Sequence, residues 1–155
     1  MNHKMEISLL VCADIDNKTR SEVEEVFRQS FLVHGEAGHV LDAYFRGIQC
    51  VLIARDRYNG SLIGFQFYQE VRLNGRIIHH FSLSGRKDGF RGMQHEFGKH
   101  VLLHALIATV PWKSVYLAGV TNDPRSYKNM HVIGEAMFFM ISARLEGVFS
   151  TLAFS

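Results

Sequence analysis

Apolar residues change their spacing several times along the chain, and each change marks an element. Residues 6–13, Glu-Ile-Ser-Leu-Leu-Val-Cys-Ala, form a short apolar run that predicts a first strand, closed by the polar cluster at 14–17. Thr19 and Glu22 then stand in capping-box spacing, and Val23, Val26, Phe27 and Phe31 fall on one helical face. Gly35 and Gly38 interrupt that period, and a shorter helix over 39–46 stops at Gly47. Residues 49–55 form a nearly continuous apolar run that predicts a second strand. Beyond Asn59-Gly60, a two-residue hairpin signal, the period becomes two: Ile63, Phe65 and Phe67 share one face, while Gln66, Tyr68 and Glu70 share the other. Asn74-Gly75 is a second such turn, followed by a strand over 76–84. Two turns in close succession predict an antiparallel meander.

The pattern then shifts again. Residues 85–92, Gly-Arg-Lys-Asp-Gly-Phe-Arg-Gly, make a glycine-rich basic loop. A helix is predicted over 93–109, carrying Val101, Leu102, Leu103, Leu106 and Ile107 and ended by Pro111 and Trp112. Residues 114–120 predict a further strand, and strand, helix and strand of these lengths make a right-handed crossover to a parallel neighbour. A short helix is expected from Pro124, then a helix over 133–143 and a strand over 148–154. The expected fold class is α/β, a single domain over 1–155 with a mixed, twisted sheet flanked by helices on both faces.

Composition narrows the function classes. At 155 residues, 47% hydrophobic and 21% charged, the chain has enough apolar surface for one core and is not a disordered sequence. Its formal net charge of +2 is too small and too scattered to point to nucleic acid. No apolar run reaches the length of a membrane span and no targeting segment is recognisable, so a soluble cytoplasmic protein without a membrane partner is expected. Cys12 and Cys50, the only cysteines, read as buried thiols rather than a disulfide framework. The nine histidines invite a metal test, which the spacing fails. His95-Glu96 is followed by Lys99 where a metalloprotease helix needs its second histidine, and no third ligand accompanies His100 and His104. No metal is expected.

The loop over 85–92 is the candidate for chemistry. The start of a helix leaves amides unpaired and carries positive partial charge, so it attracts phosphate. Gly89 and Gly92 let the backbone approach such a group, and Arg86, Lys87 and Arg91 add charge. An ordinary strand-to-helix connection has the same composition. No Gly-Lys-Ser/Thr follows, so this is not a nucleoside-triphosphate loop.

Phe81-Ser82-Leu83-Ser84, then Phe90-Arg91-Gly92 and a long helix, resemble the fourth strand, pyrophosphate loop and third helix of the GNAT acyltransferase superfamily. Residues 115–120 and the following Asn122-Asp123-Pro124-Arg125-Ser126-Tyr127 are similar to its fifth strand and the Asn/Tyr segment beyond. The resemblance implies a GNAT-like fold and an enzyme that carries an acetyl or longer acyl group from acyl-CoA to an amine by direct attack. The implied acceptor is a small-molecule or peptide amine, and an acyl carrier protein is the alternative donor. The resemblance further implies that the backbone of Phe81, Ser82, Leu83 and Ser84 holds the pantetheine arm. Arg91, Gly92, Met93, Gln94 and His95 would hold the pyrophosphate, Asn122 would touch the cofactor, and Tyr127 would protonate the departing thiolate.

One part of the family pattern is degenerate. The family loop reads Arg/Gln-x-x-Gly-x-Gly/Ala, and counting from Arg91 the two small positions fall on Gln94 and Glu96. These residues raise the alternative of a non-catalytic binding or oligomerising domain on the same scaffold. For the general base the candidates are Glu70, on the less apolar face of its strand, and His80. Simple alternation puts His80 on one side with Ser82 and Ser84, and His79 on the other with Ile77, Phe81 and Leu83. The apolar run Met137-Phe138-Phe139-Met140-Ile141 is expected to finish the sheet or to bury itself in a homodimer.

Overall fold

The computed structural model describes residues 5–31, 37–90, 92–108 and 116–119. The chain divides into two units, Met1–Val120 and Thr121–Ser155, and every described residue lies in the first. The helices expected from Pro124 and over 133–143, the strand over 148–154 and the apolar run assigned to a homodimer fall outside the described residues.

Five strands form one sheet in chain order: β1 (Met5–Val11), β2 (Cys50–Asp56), β3 (Leu62–Leu73), β4 (Arg76–Arg86) and β5 (Tyr116–Gly119). The first four run antiparallel to their neighbours, and β5 is parallel to β4. This is the meander and crossover that the turn signals predict. At the β3–β4 turn both Asn74 (φ +50°) and Gly75 (φ +74°) occupy the left-handed region, as a two-residue hairpin with matching twist demands. The turn fixes the register Leu73↔Arg76 and hence every pair down to Tyr68↔Phe81.

Three helices accompany the sheet: α1 (Asn17–Phe31), α2 (Ala37–Gly47) and α3 (Met93–Ala108). Two local expectations are corrected. The first strand stops at Val11, because Cys12–Asp14 turn into a single 3-10 loop. The cap of α1 is Asp16 rather than Thr19: Asp16 Oδ1 accepts the Thr19 amide at 2.6 Å, which places Thr19 inside the first turn, where it is buried.

The two faces of the sheet are covered by different helices. Val23, Val26 and Phe27 of α1 and Leu41 and Phe45 of α2 pack on Val51, Ile53, Phe65 and Phe67. Phe67 is the hub, with its ring centroid 5.1–5.2 Å from those of Phe45 and Tyr44. On the opposite face lies the start of α3, whose Met93 sits against Gly64. A Cβ on Gly64 would fall 1.8 Å from Met93 Sδ, so the missing side chain is what lets the helix settle there. Gly85 does the same for α1: a Cβ would meet Phe65 at 2.6 Å and Ser30 Oγ at 2.9 Å.

Candidate active site

Beyond Phe81 a bulge changes the course of β4. Gln66 pairs with Ser84 and Tyr68 with Phe81, so Phe67 stands opposite two residues, Ser82 and Leu83. An extra residue in one strand bends it and increases its twist. Pairing between β4 and β5 covers Ile78↔Tyr116 to Phe81↔Gly119, and among the described residues 82–86 are not paired to β5. Phe81, Ser82, Leu83 and Ser84, the predicted pantetheine strand, thus span the bulge.

The bulge also overturns the simple alternation. Residues paired across a ladder share a face, so Phe81 and Ser84 lie on the α3 face with Tyr68 and Gln66. Leu83 instead packs with the α1/α2 core, so it does not share a side with His79 and Phe81.

Beyond Ser84 the loop is fastened at several points. Ser30 Oγ accepts from the Arg86 amide at 2.8 Å and donates to the Arg86 carbonyl at 2.9 Å. The Lys87 amide donates to the Ile63 carbonyl, and Arg86 Nη1 to the Phe90 carbonyl at 2.7 Å. The chain then passes Gly92, at φ +78°, and enters α3. The Gly92 carbonyl accepts from the amides of His95 and Glu96, which makes Gly92 the residue on which the helix opens. Met93, Gln94 and His95 therefore form its first turn, beside the end of β4.

The two side chains at the small positions of the loop pattern both have side-chain partners. Gln94 Nε2 donates to Ser84 Oγ at 3.4 Å, tying the first turn of α3 to β4. Glu96 Oε1 pairs with Lys99 Nζ at 2.8 Å, three residues along the helix. The Glu96 charge is thereby offset by a cation.

The candidate bases separate. Gln69 pairs with His80, and Glu70 with His79, so Glu70 and His80 lie on opposite faces. Gln69 Nε2 stands 3.5 Å from His80 Nδ1. Glu70 joins two residues that sequence reasoning did not select. The Tyr68 hydroxyl donates to Glu70 Oε1 at 3.2 Å and stands 2.5 Å from His79 Nδ1, and the Tyr68 and His79 rings stack within 7° of parallel. Glu70 Oε1 is itself 3.8 Å from His79 Nδ1. Burial pushes the His79 imidazole below its ordinary pKa, with Glu70 pulling it back up and His104 pushing it down. Burial and the neighbouring Glu70 raise the Tyr68 phenol, which stays protonated.

Of the remaining predicted residues, Arg91, Asn122 and Tyr127 fall outside the described residues. Cys12 and Cys50 are buried free thiols, and burial, reinforced by Cys50, pushes the Cys12 thiol up to about 12, which leaves it no nucleophilic thiolate. Among the described residues no helix is long and apolar enough to cross a membrane. Nor does any group of three or more His, Cys, Asp or Glu residues among them suit a metal ion.

No protein-family model matches this sequence, and a search of curated proteins finds none similar to it. Solved structures do match. The ribosomal-protein-alanine N-acetyltransferase from Brucella melitensis biovar Abortus 2308 superimposes with a TM-score of 0.55 and 16% identity, covering 81% of this chain and 87% of that one. An aminoglycoside 6'-N-acetyltransferase from Acinetobacter baumannii gives 0.55 at 13% identity, over 86% and 89%. A further aminoglycoside N-acetyltransferase, in complex with CoA, gives 0.53 at 17% identity, over 86% of each chain. The chain has the fold of the GNAT N-acetyltransferases.

Proposed function

We propose that this chain, taken over 1–155 as one functional domain, is an N-acyltransferase that moves an acetyl group from acetyl-CoA to a primary amine. The observation that carries the reading is the junction of β4 and α3. The bulge at Ser82 and Leu83 turns the strand aside, and Gly92, at positive φ, opens the helix that follows. In this reading backbone groups of residues 81–84 hold the pantetheine arm, and the first turn of α3 receives the pyrophosphate. Gln94 and Glu96, which depart from the family pattern, are engaged with Ser84 and Lys99.

In this reading Arg91, Gly92, Met93, Gln94, His95 and Asn122 bind the donor, and the amine attacks the thioester carbonyl directly. Tyr127 gives its proton to the departing thiolate. Side chains on both faces of the sheet offer a proton acceptor for the amine: Glu70 on the α3 side and His80 on the other. A longer acyl chain, or an acyl carrier protein as donor, fits the same arrangement.

Calorimetric titration with acetyl-CoA, followed by an acetyl-transfer assay on a panel of primary amines, tests the proposal. Binding in the micromolar range with turnover of at least one amine is expected. No heat at millimolar acetyl-CoA, the point where binding free energy has shrunk to about −4 kcal/mol, would overturn it in favour of a non-catalytic domain.

A further inference from the structure

The connection from β4 to α3 is fastened from an element 56 residues away in the chain. The Lys87 amide faces β3, where it donates to the Ile63 carbonyl. Backbone groups of successive residues in an antiparallel strand point to opposite sides, so the Arg86 amide and carbonyl face away from β3. Groups at such an edge need a partner. The partner is one side-chain atom of α1, Ser30 Oγ, which accepts from the Arg86 amide at 2.8 Å and reaches the Arg86 carbonyl at 2.9 Å. The same hydroxyl stands 2.7 Å from the Val26 carbonyl, one turn back along α1, so its single proton serves two acceptors. Gly85 makes the contact possible, because a Cβ there would fall 2.9 Å from Ser30 Oγ.

The tie continues through the Arg86 side chain. Between Lys87 and Phe90 the chain turns, with Gly89 at φ +89°. The backbone closes this turn only weakly, since the Phe90 amide is 3.5 Å from the Lys87 carbonyl. Arg86 Nη1 donates to the Phe90 carbonyl at 2.7 Å, a charge-assisted bond that spans the turn. Gly92, at φ +78°, then opens α3. A series of contacts thus runs from the last turn of α1 through Ser30 and Arg86 to Phe90, two residues before the helix start. Arg86, whose charge the sequence offers to a phosphate, directs a donor at the loop itself.

We propose that Ser30 and Arg86 are positioning residues for the acyl donor: they hold the Phe90 carbonyl, and through it the start of α3, and act through the backbone rather than by touching the donor. The proposal rests on the transferase reading, in which the first turn of α3 receives the pyrophosphate. Amides already aimed at a ligand bind it at full strength, whereas a loop ordered only on binding subtracts its ordering entropy from the affinity. In CoA the whole pantetheine arm separates the diphosphate from the thioester. Loosening this end therefore weakens donor binding and leaves the chemical step alone. A tie that served the fold only would change stability and leave donor affinity as it is.

Amide hydrogen exchange, measured without donor, reads the tie directly. In Ser30→Ala the Arg86 and Lys87 amides should exchange about tenfold faster than in wild type, with β2 amides unchanged. Unchanged exchange at Arg86 overturns the proposal. Calorimetric titration and kinetics read the consequence. Ser30→Ala and Arg86→Met should each raise the acetyl-CoA Kd about tenfold, with kcat at saturating donor within about twofold of wild type. The double variant should bind little worse than either single one, because the two side chains act in series; effects that multiply overturn the proposal. The Arg86→Met loss should be equal at about 0.1 M and about 1 M salt. A loss that vanishes in high salt means that the guanidinium acts on the phosphates by charge, and overturns its positioning role. Ser30→Ala with weaker resistance to urea but unchanged donor affinity marks a tie for the fold alone and overturns the proposal. Should Ser30→Ala fail to fold, Arg86→Met, at an exposed position, still decides. A wild type that binds no acetyl-CoA overturns the transferase reading itself, and the positioning role falls with it even where exchange shows the tie.

Discussion

The two faces of this sheet are built to different rules. Under α1 and α2 the buried side chains are apolar and aromatic, and Phe65, Phe67, Val51 and Ile53 interlock with the helices. Under α3 the same strands bring together Gln66, Tyr68, Glu70, His79 and Ser84, and one buried atom there, His79 Nε2, has no hydrogen-bond partner among the described residues. An apolar face is stabilised by every methylene it buries, whereas an unpaired buried nitrogen costs about 1–3 kcal/mol. A fold that needed only stability would fill that position with Leu or Phe. The contrast sets an apolar packing face against a polar one, and it can be tested from both sides.

Phe67→Ala strikes the folding face and should have the largest effect. A destabilisation of about 3–5 kcal/mol in urea unfolding is expected. The two close-approach glycines compare the faces directly. Gly85→Ala and Gly64→Ala should each cost about 1–3 kcal/mol, Gly85→Ala the more, because it meets the wedged Phe65 ring where Gly64→Ala meets a flexible methionine. Met93→Ala should relieve Gly64→Ala in a double-mutant cycle and leave Gly85→Ala unchanged.

The polar face should reveal itself through pH. The His79 pKa is lowered on folding from 6.5, so the unfolded chain binds the extra proton between the folded value and 6.5. Its contribution to stability is complete above pH 6.5, declines as the pH falls through that window, and is absent below the folded pKa. Unfolding free energies measured from pH 5 to 8 should show this slope in wild type and a smaller one in His79→Gln. Ser84→Ala should have the smallest effect. It removes the 3.4 Å contact from Gln94 and should cost about 0.5 kcal/mol, with acetyl-CoA affinity changing less than threefold.

Much of this architecture is written in local signals. Asn59-Gly60 and Asn74-Gly75 announce the meander, the period-two stretch from Ser61 marks β3, and the length between β4 and β5 marks the crossover. The Glu70 and His79 pairing was also legible. A two-residue turn at Asn74-Gly75 sets Leu73 opposite Arg76, and counting back three places puts Glu70 opposite His79. The bulge was not. Nothing in Phe81-Ser82-Leu83-Ser84 distinguishes an extra residue from a regular one, because apolar and hydroxyl residues alternate through it as they do in an unbulged strand. The partners of Gln94 and Glu96 were equally hidden, since a side chain at a small-residue position can turn inward or aside. Asp16 displaced Thr19 as the cap by the same kind of competition, settled by where the first turn begins.

The extra residue opposite Phe67 has a consequence for how such a domain can change. The partners of β4 on β3 are in step on both sides of it, so removing one codon there would leave each of those neighbours where it is. What would vanish is the bend. A strand drawn straight would send residues 84–86 along a different course, so a single genetic step can re-aim the helix that this strand feeds.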